Sequence, residues 1–454
     1  MIKRTFLDIV NMVNGTTNHH LNVEVVGVST DSRNIMEGNL FVPLVGDNFN
    51  GHQFVENAFE NGAVATLWAK NEAGAPTDKA VIYVEDTLVA LQTLAKQYLK
   101  EVNPKVVGIT GSNGKTTTKD LVGAVLSTTY VVHKTKGNFN NHIGLPLTIL
   151  SMPEHTEVAV LEMGMSGQGE IELLSKLAKP DVSVITNIGE SHLMDLGSRE
   201  AIAEAKLEIV KGLKKDGILI YYGDEPLLRN NTLSIQTKTF GESKHNDLYP
   251  ISILHKENGA EFTCNVFEGQ TFFIPILGRH NVLNALASIS VAEVLGIDEE
   301  NIKKGLKNVE LSNMRLEMVK TKKGLSVIND AYNASPTSMK AAIQLVRDMK
   351  GFGQKILVLG DMLELGEKEV EFHQEVGEAI EDSGVAHLFT FGTLGKEIAN
   401  GAKPFLEDER IHVFTNKEAL IAELKKITSP NDVVLVKASR GMKLEEVVHA
   451  LCED

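Results

Sequence analysis

Short β-branched runs and amphipathic segments alternate along the chain. Val106, Val107 and Ile109 lead into a glycine-rich turn anchored by Gly108, Gly111 and Gly114, and residues 115–122 then carry a helical pattern. Comparable runs at Tyr130–His133, Val158–Met163 and Val182–Ile188 each end in a polar or glycine-rich segment. Strands and helices alternating at this spacing predict a parallel sheet built through crossover connections, with ligand groups gathered at the carboxyl ends of its strands. Upstream, strands at Val23–Val28, Leu40–Leu44, Ala63–Leu67 and Ala80–Val84, with helices at Gln53–Glu60 and Thr87–Leu99, predict a smaller α/β unit. Downstream, strands at Leu325–Asn329, Lys355–Leu359, His387–Phe391, Ile411–Phe414 and Asp432–Val436 alternate with helices at Pro336–Met349, Glu367–Ile380, Lys417–Ile427 and Met442–Leu451. That is an open doubly wound pattern, and it lacks the G-x-G-x-x-G fingerprint of nicotinamide or flavin binding.

The fold class this implies is α/β in three domains. They are a small α/β N-terminal domain over residues 1–100, a central P-loop-type parallel-sheet domain over 101–312, and a C-terminal Rossmann-like doubly wound domain over 313–454. Forty-five basic against 60 acidic residues give a net charge of −15, which argues against nonspecific nucleic-acid binding and leaves room only for local basic pockets. Cys264 and Cys452 have neither metal nor redox spacing, which fits a reducing compartment. Asp8 and Asn11 interrupt the N-terminal segment before a signal-like apolar core develops, and no apolar stretch approaches the roughly 20 residues of a membrane span. A cytoplasmic protein without membrane insertion is expected.

The glycine-rich turn carries the clearest chemistry. In Gly111-Ser112-Asn113-Gly114-Lys115-Thr116-Thr117 the glycines let backbone N–H groups converge on phosphate oxygens, and the following helix presents its positive end to the same anion. Lys115 would reach the terminal phosphates and Thr116 would offer a hydroxyl to magnesium. The usual pattern begins with a glycine where this chain has Ile109, so the loop is a variant. Two neighbouring strand ends bring Glu162 and His192 to the same rim; magnesium prefers oxygen, which makes Glu162 the stronger metal ligand.

Lys206 falls inside the apolar stripe formed by Ile202, Ala205, Ile209 and Leu213 on a helix expected over Ser198–Leu213. Either its stem snorkels outward, or its amine is held near an anion or metal and desolvation readies it for carbamate formation with carbon dioxide. Asn281 opens an apolar helix and could cap it or bond a purine edge. Asp31-Ser32-Arg33 and Asn50-Gly51-His52 follow the first two strands, where local turns and ligand contacts are both reasonable. The third unit's strand ends carry Asp330 to Pro336, Gly360 to Gly366 and Lys437 to Gly441, a rim able to grip a small zwitterion or a ribose.

Taken in order, the loop 110–117, Asn140-Asn141, Glu162-Met163-Gly164, Asn187-Ile188-Gly189, His192, Lys206, His280-Asn281, Met314-Arg315 and Asp330-Ala331-Tyr332-Asn333 resemble the Mur ligases of bacterial cell-wall synthesis. The resemblance covers nearly the whole chain. Asp31-Ser32-Arg33, Gly360-Asp361-Met362, Glu364-Leu365-Gly366 and the Lys-x-Ser-Arg ending at 437–440 are most similar to the branch that joins D-alanyl-D-alanine to UDP-N-acetylmuramoyl-tripeptide.

It implies an ATP-dependent ligase with two Mg2+ ions and a carbamylated lysine, working as a monomer on small-molecule substrates. Residues 111–117 would cradle ATP, with Asn281 at adenine, Arg315 approaching the phosphates, and Asp330 and Asn333 holding the nucleotide. Lys115, His192 and Lys206 would be catalytic. Thr116, Glu162, His192 and carbamylated Lys206 would hold the metals. Ser32, Arg33, Asn50, Gly51 and His52, with Asn140 and Asn141, would meet the UDP-sugar. Lys437, Ser439 and Arg440 would face the dipeptide. The alternatives are a sister ligase that adds diaminopimelate or lysine, a folylpolyglutamate synthetase, or a nucleotide-driven switch that is not a ligase.

Overall fold

The computed structural model describes residues 1–18, 22–230, 235–256 and 258–453. Its centre is a six-stranded, all-parallel sheet in the spatial order Val132–Lys134, Val158–Glu162, Lys105–Thr110, Val182–Ile185, Ile218–Tyr222, Gln236–Phe240. The first strand in sequence, Lys105–Thr110, thus lies between two strands that leave in opposite directions. That is the switch point where a crevice opens at the carboxyl ends of a parallel sheet. Every residue of Val158–Glu162 and Val182–Ile185 is buried, as a sheet covered by helices on both faces requires. The helix Arg279–Val294 packs on the helix Lys115–Leu126 and is buried nearly all round from Asn281 to Ala292, so it reads as a core element.

Before it, four short parallel strands form a smaller sheet, Val28–Ser29, Leu40–Phe41, Ala65–Ala69 and Val81–Val84. The run expected as one strand over Val23–Val28 breaks at Gly27, whose φ of +79° turns the chain. Glu24–Val26 pairs instead with Lys3–Thr5. This unit is fixed to the central one by main-chain and buried polar contacts: Ile2 N–H donates to Leu150 O at 2.8 Å, and Tyr98 Oη donates to Met152 O at 2.7 Å.

The C-terminal sheet runs Glu317–Lys320, Ser326–Asp330, Val433–Lys437, Lys355–Gly360, His387–Phe391, Ile411–Phe414, parallel except for its first edge strand. Several elements have no counterpart in the sequence-based expectation: the helices Phe6–Met12, Gly144–Leu150, Glu170–Ala178, Glu299–Lys307 and Gly395–Ala402, the central strands Ile218–Tyr222 and Gln236–Phe240, that edge strand, and an antiparallel sheet of Pro250–Lys256, Gly259–Cys264 and Phe272–Ile274. The helix expected over Ser198–Leu213 is α-helical over Arg199–Leu207 and tightens to a 3₁₀ turn over Glu208–Lys211. The Ser175 hydroxyl takes the Ile209 carbonyl and accepts from Gly212 N–H at 3.1 Å, diverting the groups the helix needs to continue.

Where the central unit passes into the C-terminal one, Asp120 ties the phosphate-loop helix to the connecting segment. It is 1% exposed. It accepts from Ser312 N–H at 2.9 Å and Ser312 Oγ at 2.8 Å, and pairs with Lys134 at 2.7 Å and the buried Lys119 at 3.3 Å. Burial alone would raise the Asp120 pKa; Lys119, Lys134 and the Ser312 N–H outweigh it and hold the carboxyl below its ordinary value. Asp120→Ala leaves Lys119 buried and uncompensated, which should cost about 3–5 kcal/mol and lower the midpoint of urea unfolding followed by circular dichroism. Because the folded pKa is depressed, the Asp120 contribution is complete above about pH 4 and is lost as the pH falls through the lower folded value.

Candidate active site

The glycine-rich turn is held from outside, by the end of the neighbouring strand. Val182–Ile185 stops where Thr186 and Asn187 bend across to the loop. Thr186 Oγ1 donates to Asn113 O at 2.5 Å, Asn187 Nδ2 donates to the same oxygen at 3.0 Å, and Asn187 Oδ1 accepts from Asn113 N–H at 2.9 Å. This is why the strand expected to reach Ile188 ends three residues early. Gly111 lies at φ +143°, and a β-carbon there would sit 1.9 Å from Thr186 Oγ1. Gly114, at φ +79°, starts the helix Lys115–Leu126, and a β-carbon there would meet Asn284 Oδ1 at 2.5 Å. Lys115 Nζ folds back onto Gly111 O at 2.7 Å and Ser112 O at 3.2 Å.

On the other side, Thr116 Oγ1 donates to Glu162 Oε2 at 3.0 Å, and Asn140 Nδ2 donates to Glu162 Oε1 at 2.8 Å. A hydroxyl and a buried carboxylate at hydrogen-bond distance are the oxygen donors a magnesium ion takes. His192 sits in left-handed backbone, φ +65°, with Nδ1 3.1 Å from a Glu364 carboxylate oxygen but off the line a hydrogen bond needs. Ser112 Oγ, Asn113 Nδ2 and Ser191 Oγ are likewise buried around the loop without a partner among the described residues.

The C-terminal unit closes over this rim. Ser335 Oγ donates to Asn113 Oδ1 at 3.3 Å, and Glu190 Oε2 accepts from Thr337 Oγ1 at 2.7 Å and from Thr337 N–H at 3.3 Å. Met194 N–H donates to Glu364 O at 3.1 Å. Arg315 reaches the cleft with its guanidinium 4.3 Å from the centre of the Tyr332 ring, between two residues in left-handed backbone, Met314 and Leu316. Together these walls enclose a cleft of about 630 Å³ that holds Ser112 to Thr117, Asn140, Asn141, Glu162, His192, Asn281, Arg315, Asp330, Asn333 and Lys437.

Burial sets the electrostatics. Desolvation pushes Lys115 down to about 8, opposed by Glu162 and reinforced by Arg315. Lys206 is 1% exposed, and among the described residues no hydrogen bond or ion pair holds its amine. Desolvation and the Lys115 cation drive its pKa well below the ordinary lysine value, with Glu170 and Glu208 opposing weakly. Its stem does not snorkel out. Burial, then Lys206 and Lys115, also lower His192.

Comparison with known proteins now adds the family. Matches to family models run in order along the chain: Mur ligase family, catalytic domain, over 24–99; Mur ligase middle domain over 109–292; and Mur ligase, glutamate ligase domain, over 314–440. A relative from Bacillus subtilis (strain 168), named UDP-N-acetylmuramoyl-tripeptide--D-alanyl-D-alanine ligase, is 57% identical over 455 residues, covering 100% of this chain and 99% of its own. This chain belongs to the Mur ligase family. A protein of the same name from Escherichia coli (strain K12) is 33% identical, covering 100% of this chain and 99% of its own. Among solved structures, MurF from Acinetobacter baumannii superposes with a TM-score of 0.91 at 29% identity, covering 100% of both chains. MurF ligase from Thermotoga maritima in complex with ADP gives 0.83 at 32% identity, over 94% of this chain and 97% of that one.

Within this family frame, the remaining expected site residues fall in three places. Lys437, expected toward the dipeptide, lines the cleft and donates to Asp330 Oδ2 at 2.6 Å and Asn333 O at 2.9 Å. Ser439 and Arg440 stand outside it: Ser439 Oγ accepts from Leu363 N–H at 2.9 Å, and Arg440 pairs with Glu445 at 2.8 Å. Lys206 lies buried behind the cleft wall and does not line it. The N-terminal set is separate from the cleft. Arg33 pairs with Asp31 at 2.9 Å, Ser32 is buried, and His52 Nε2 accepts from Ala69 N–H at 3.2 Å while its ring meets the Trp68 ring edge-on, centroids 4.8 Å apart. Asn50 Oδ1 accepts from His52 N–H at 3.0 Å, closing the turn around Gly51.

Asn281 Nδ2 donates to Leu277 O at 2.7 Å, and its Oδ1 accepts from Asn284 Nδ2 at 2.9 Å. Sequence reasoning missed Asn284, Thr186 and Thr337. The three-residue spacing of Asn281 and Asn284, which puts both on one helix face, was the available signal for the first. Gly111→Ala must displace Thr186 from Asn113, so ADP affinity measured by calorimetry should fall at least tenfold, with a loss of roughly 1–3 kcal/mol in stability.

Proposed function

We propose that this chain is the ATP-dependent amide ligase that adds D-alanyl-D-alanine to UDP-N-acetylmuramoyl-tripeptide in peptidoglycan precursor synthesis, acting in the cytoplasm as a monomer. The observation that carries the reading is the rim where the phosphate loop, the Thr116–Glu162 pair and the Arg315–Asp330–Lys437 wall of the C-terminal unit face one another across one cleft. The names of the full-length relatives supply the substrate pair.

Joining a carboxylate to an amine is uphill in water, so the carboxylate is first activated. ATP gives its γ-phosphoryl group to the terminal carboxylate of the tripeptide; the bond from the γ-phosphorus to the bridging oxygen breaks and ADP leaves. The dipeptide amine attacks the resulting acyl phosphate, the carbon–oxygen bond breaks, and phosphate departs as the amine sheds its proton. The electrostatic obstacle is repulsion between carboxylate and triphosphate. Lys115, released from Gly111 O and Ser112 O, and Arg315 from the opposite wall offset it. Thr116, Glu162, His192 and Lys206 as a carbamate would hold two magnesium ions, which neutralise phosphate charge when bound. A buried lysine without a hydrogen-bond partner among the described residues, its pKa pushed down by desolvation, suits carbamate formation, which needs the neutral amine. The Glu190–Thr337 and Ser335–Asn113 contacts bring the C-terminal unit down and exclude water that would hydrolyse the acyl phosphate.

Phosphate release should require UDP-N-acetylmuramoyl-tripeptide and be driven best by D-alanyl-D-alanine in a panel containing free lysine, diaminopimelate and glutamate. Faster release with one of the single amino acids would overturn the assignment in favour of a sister ligase. Lys206→Ala should reduce ligation by a factor of at least a hundred while leaving the circular dichroism spectrum unchanged, and a short-chain carboxylic acid should restore part of the rate. Undiminished ligation in that variant would remove Lys206 from the reaction.

A further inference from the structure

At the end of the central sheet opposite the cleft, the chain gathers basic charge. A second cavity, of about 490 Å³, is lined by Lys96, Lys176, Lys179, Lys211, Lys214 and Lys215 with only Gly212 and Leu213 besides. Its walls come from three segments: the helix Thr87–Val102, the end of the helix Glu170–Ala178, and the turn 211–215. Lys179 precedes Pro180 and Asp181, which enter the strand Val182–Ile185 at its amino end, so the cavity and the phosphate loop occupy opposite poles of the sheet.

Two of the six lysines have carboxylate partners, Lys176 with Glu172 and Lys214 with Asp181 at 2.7 Å. Among the described residues, no carboxylate pairs with Lys96, Lys179, Lys211 or Lys215, in a chain whose net charge is −15. A helix C-terminus accounts for a cation or two, since the last carbonyls carry partial negative charge. Lys176 and Lys179 at the end of Glu170–Ala178 meet that need and leave the others unexplained. Lys179 also occupies the left-handed capping position, φ +47°, where glycine or asparagine is the economical choice. The turn is rigid beneath its lysines: Gly212 N–H donates to Ser175 Oγ at 3.1 Å and Lys214 N–H to Pro180 O at 3.0 Å. Four exposed ammonium groups without an ion-paired carboxylate around one cavity concentrate positive potential there, which an anion lodged among them would neutralise.

We propose that this cavity is a binding site for a soluble polyphosphate anion, of pyrophosphate size or larger, separate from the nucleotide site. Its donors are ammonium groups and not the converging backbone N–H groups of a phosphate loop. Recognition is therefore by charge number, favouring several linked phosphates over one and weakening steeply as salt rises.

The test is calorimetric titration of inorganic tripolyphosphate into the full chain with ADP and magnesium in excess, so that the phosphate loop is filled. Wild type should bind in 50 mM salt and at least tenfold more weakly in 300 mM salt. The combined variant K96Q/K179Q/K211Q/K215Q should lose at least tenfold in affinity with an unchanged ligation rate and circular dichroism spectrum, while K96R/K179R/K211R/K215R keeps the binding. Equal affinity in wild type and the glutamine variant, or no binding by either, overturns the proposal. So does sedimentation of the wild type with vesicles of equal parts phosphatidylglycerol and phosphatidylcholine when tripolyphosphate neither binds nor competes, since that marks a membrane-facing surface and not a small-anion site.

Discussion

A loop that aims its backbone N–H groups at one point cannot fix itself with side chains of its own, because the glycines that permit the shape supply none. Here the fixing comes from Thr186 and Asn187, which grip the main chain of Asn113 from both its carbonyl and its N–H. The remainder of the site depends on that grip. It sets where Gly111 passes Thr186, where Gly114 turns past Asn284, and so the direction in which the helix Lys115–Leu126 presents Thr116 to Glu162. The all-parallel order of the sheet makes it possible, since only neighbouring strands running the same way bring two carboxyl ends side by side.

The cleft is shared between units that must meet. The central unit contributes the glycine-rich loop, Thr116 and Glu162, while Arg315, Asp330 and Lys437 come from the C-terminal unit. Their meeting is enforced at two levels. Asp120 anchors the connecting segment to the phosphate-loop helix from behind, and the Glu190–Thr337 and Ser335–Asn113 bonds join the rims in front. Lysines are used in opposed ways across this architecture. Lys119 is buried and compensated by Asp120, which stabilises a joint, whereas Lys206 is buried with no ion pair among the described residues, and desolvation pushes its pKa down.

Much of the fold was legible because apolar runs in a parallel sheet are continuous, and the three strand-rich units stand out in sequence order. The antiparallel sheet of Pro250–Lys256, Gly259–Cys264 and Phe272–Ile274 was not, because its exposed outer strand alternates too weakly to separate from loop. The edge strand Glu317–Lys320 escaped for the same reason. Local motifs placed the loop and Glu162 on the cleft rim, since each lies at or just past a strand end, and His192 reaches the same cleft seven residues beyond Ile185. Lys437 could be placed on a rim, but its contact with Asp330 could not, because that partner lies 107 positions away and only the sheet brings them together. Thr337 and Glu190 were beyond reach altogether: a contact between domains has no periodicity in the chain.

The edge-on packing of His52 against Trp68 has a practical consequence. The chain contains one tryptophan. Its indole lies in the four-stranded N-terminal sheet, hydrogen-bonded through Nε1 to Glu72 O at 3.0 Å and almost fully covered. Intrinsic fluorescence excited at the red edge of the spectrum is therefore a single-site signal from that small sheet alone. It reports unfolding or rearrangement beside His52, outside the cleft, without attaching a dye.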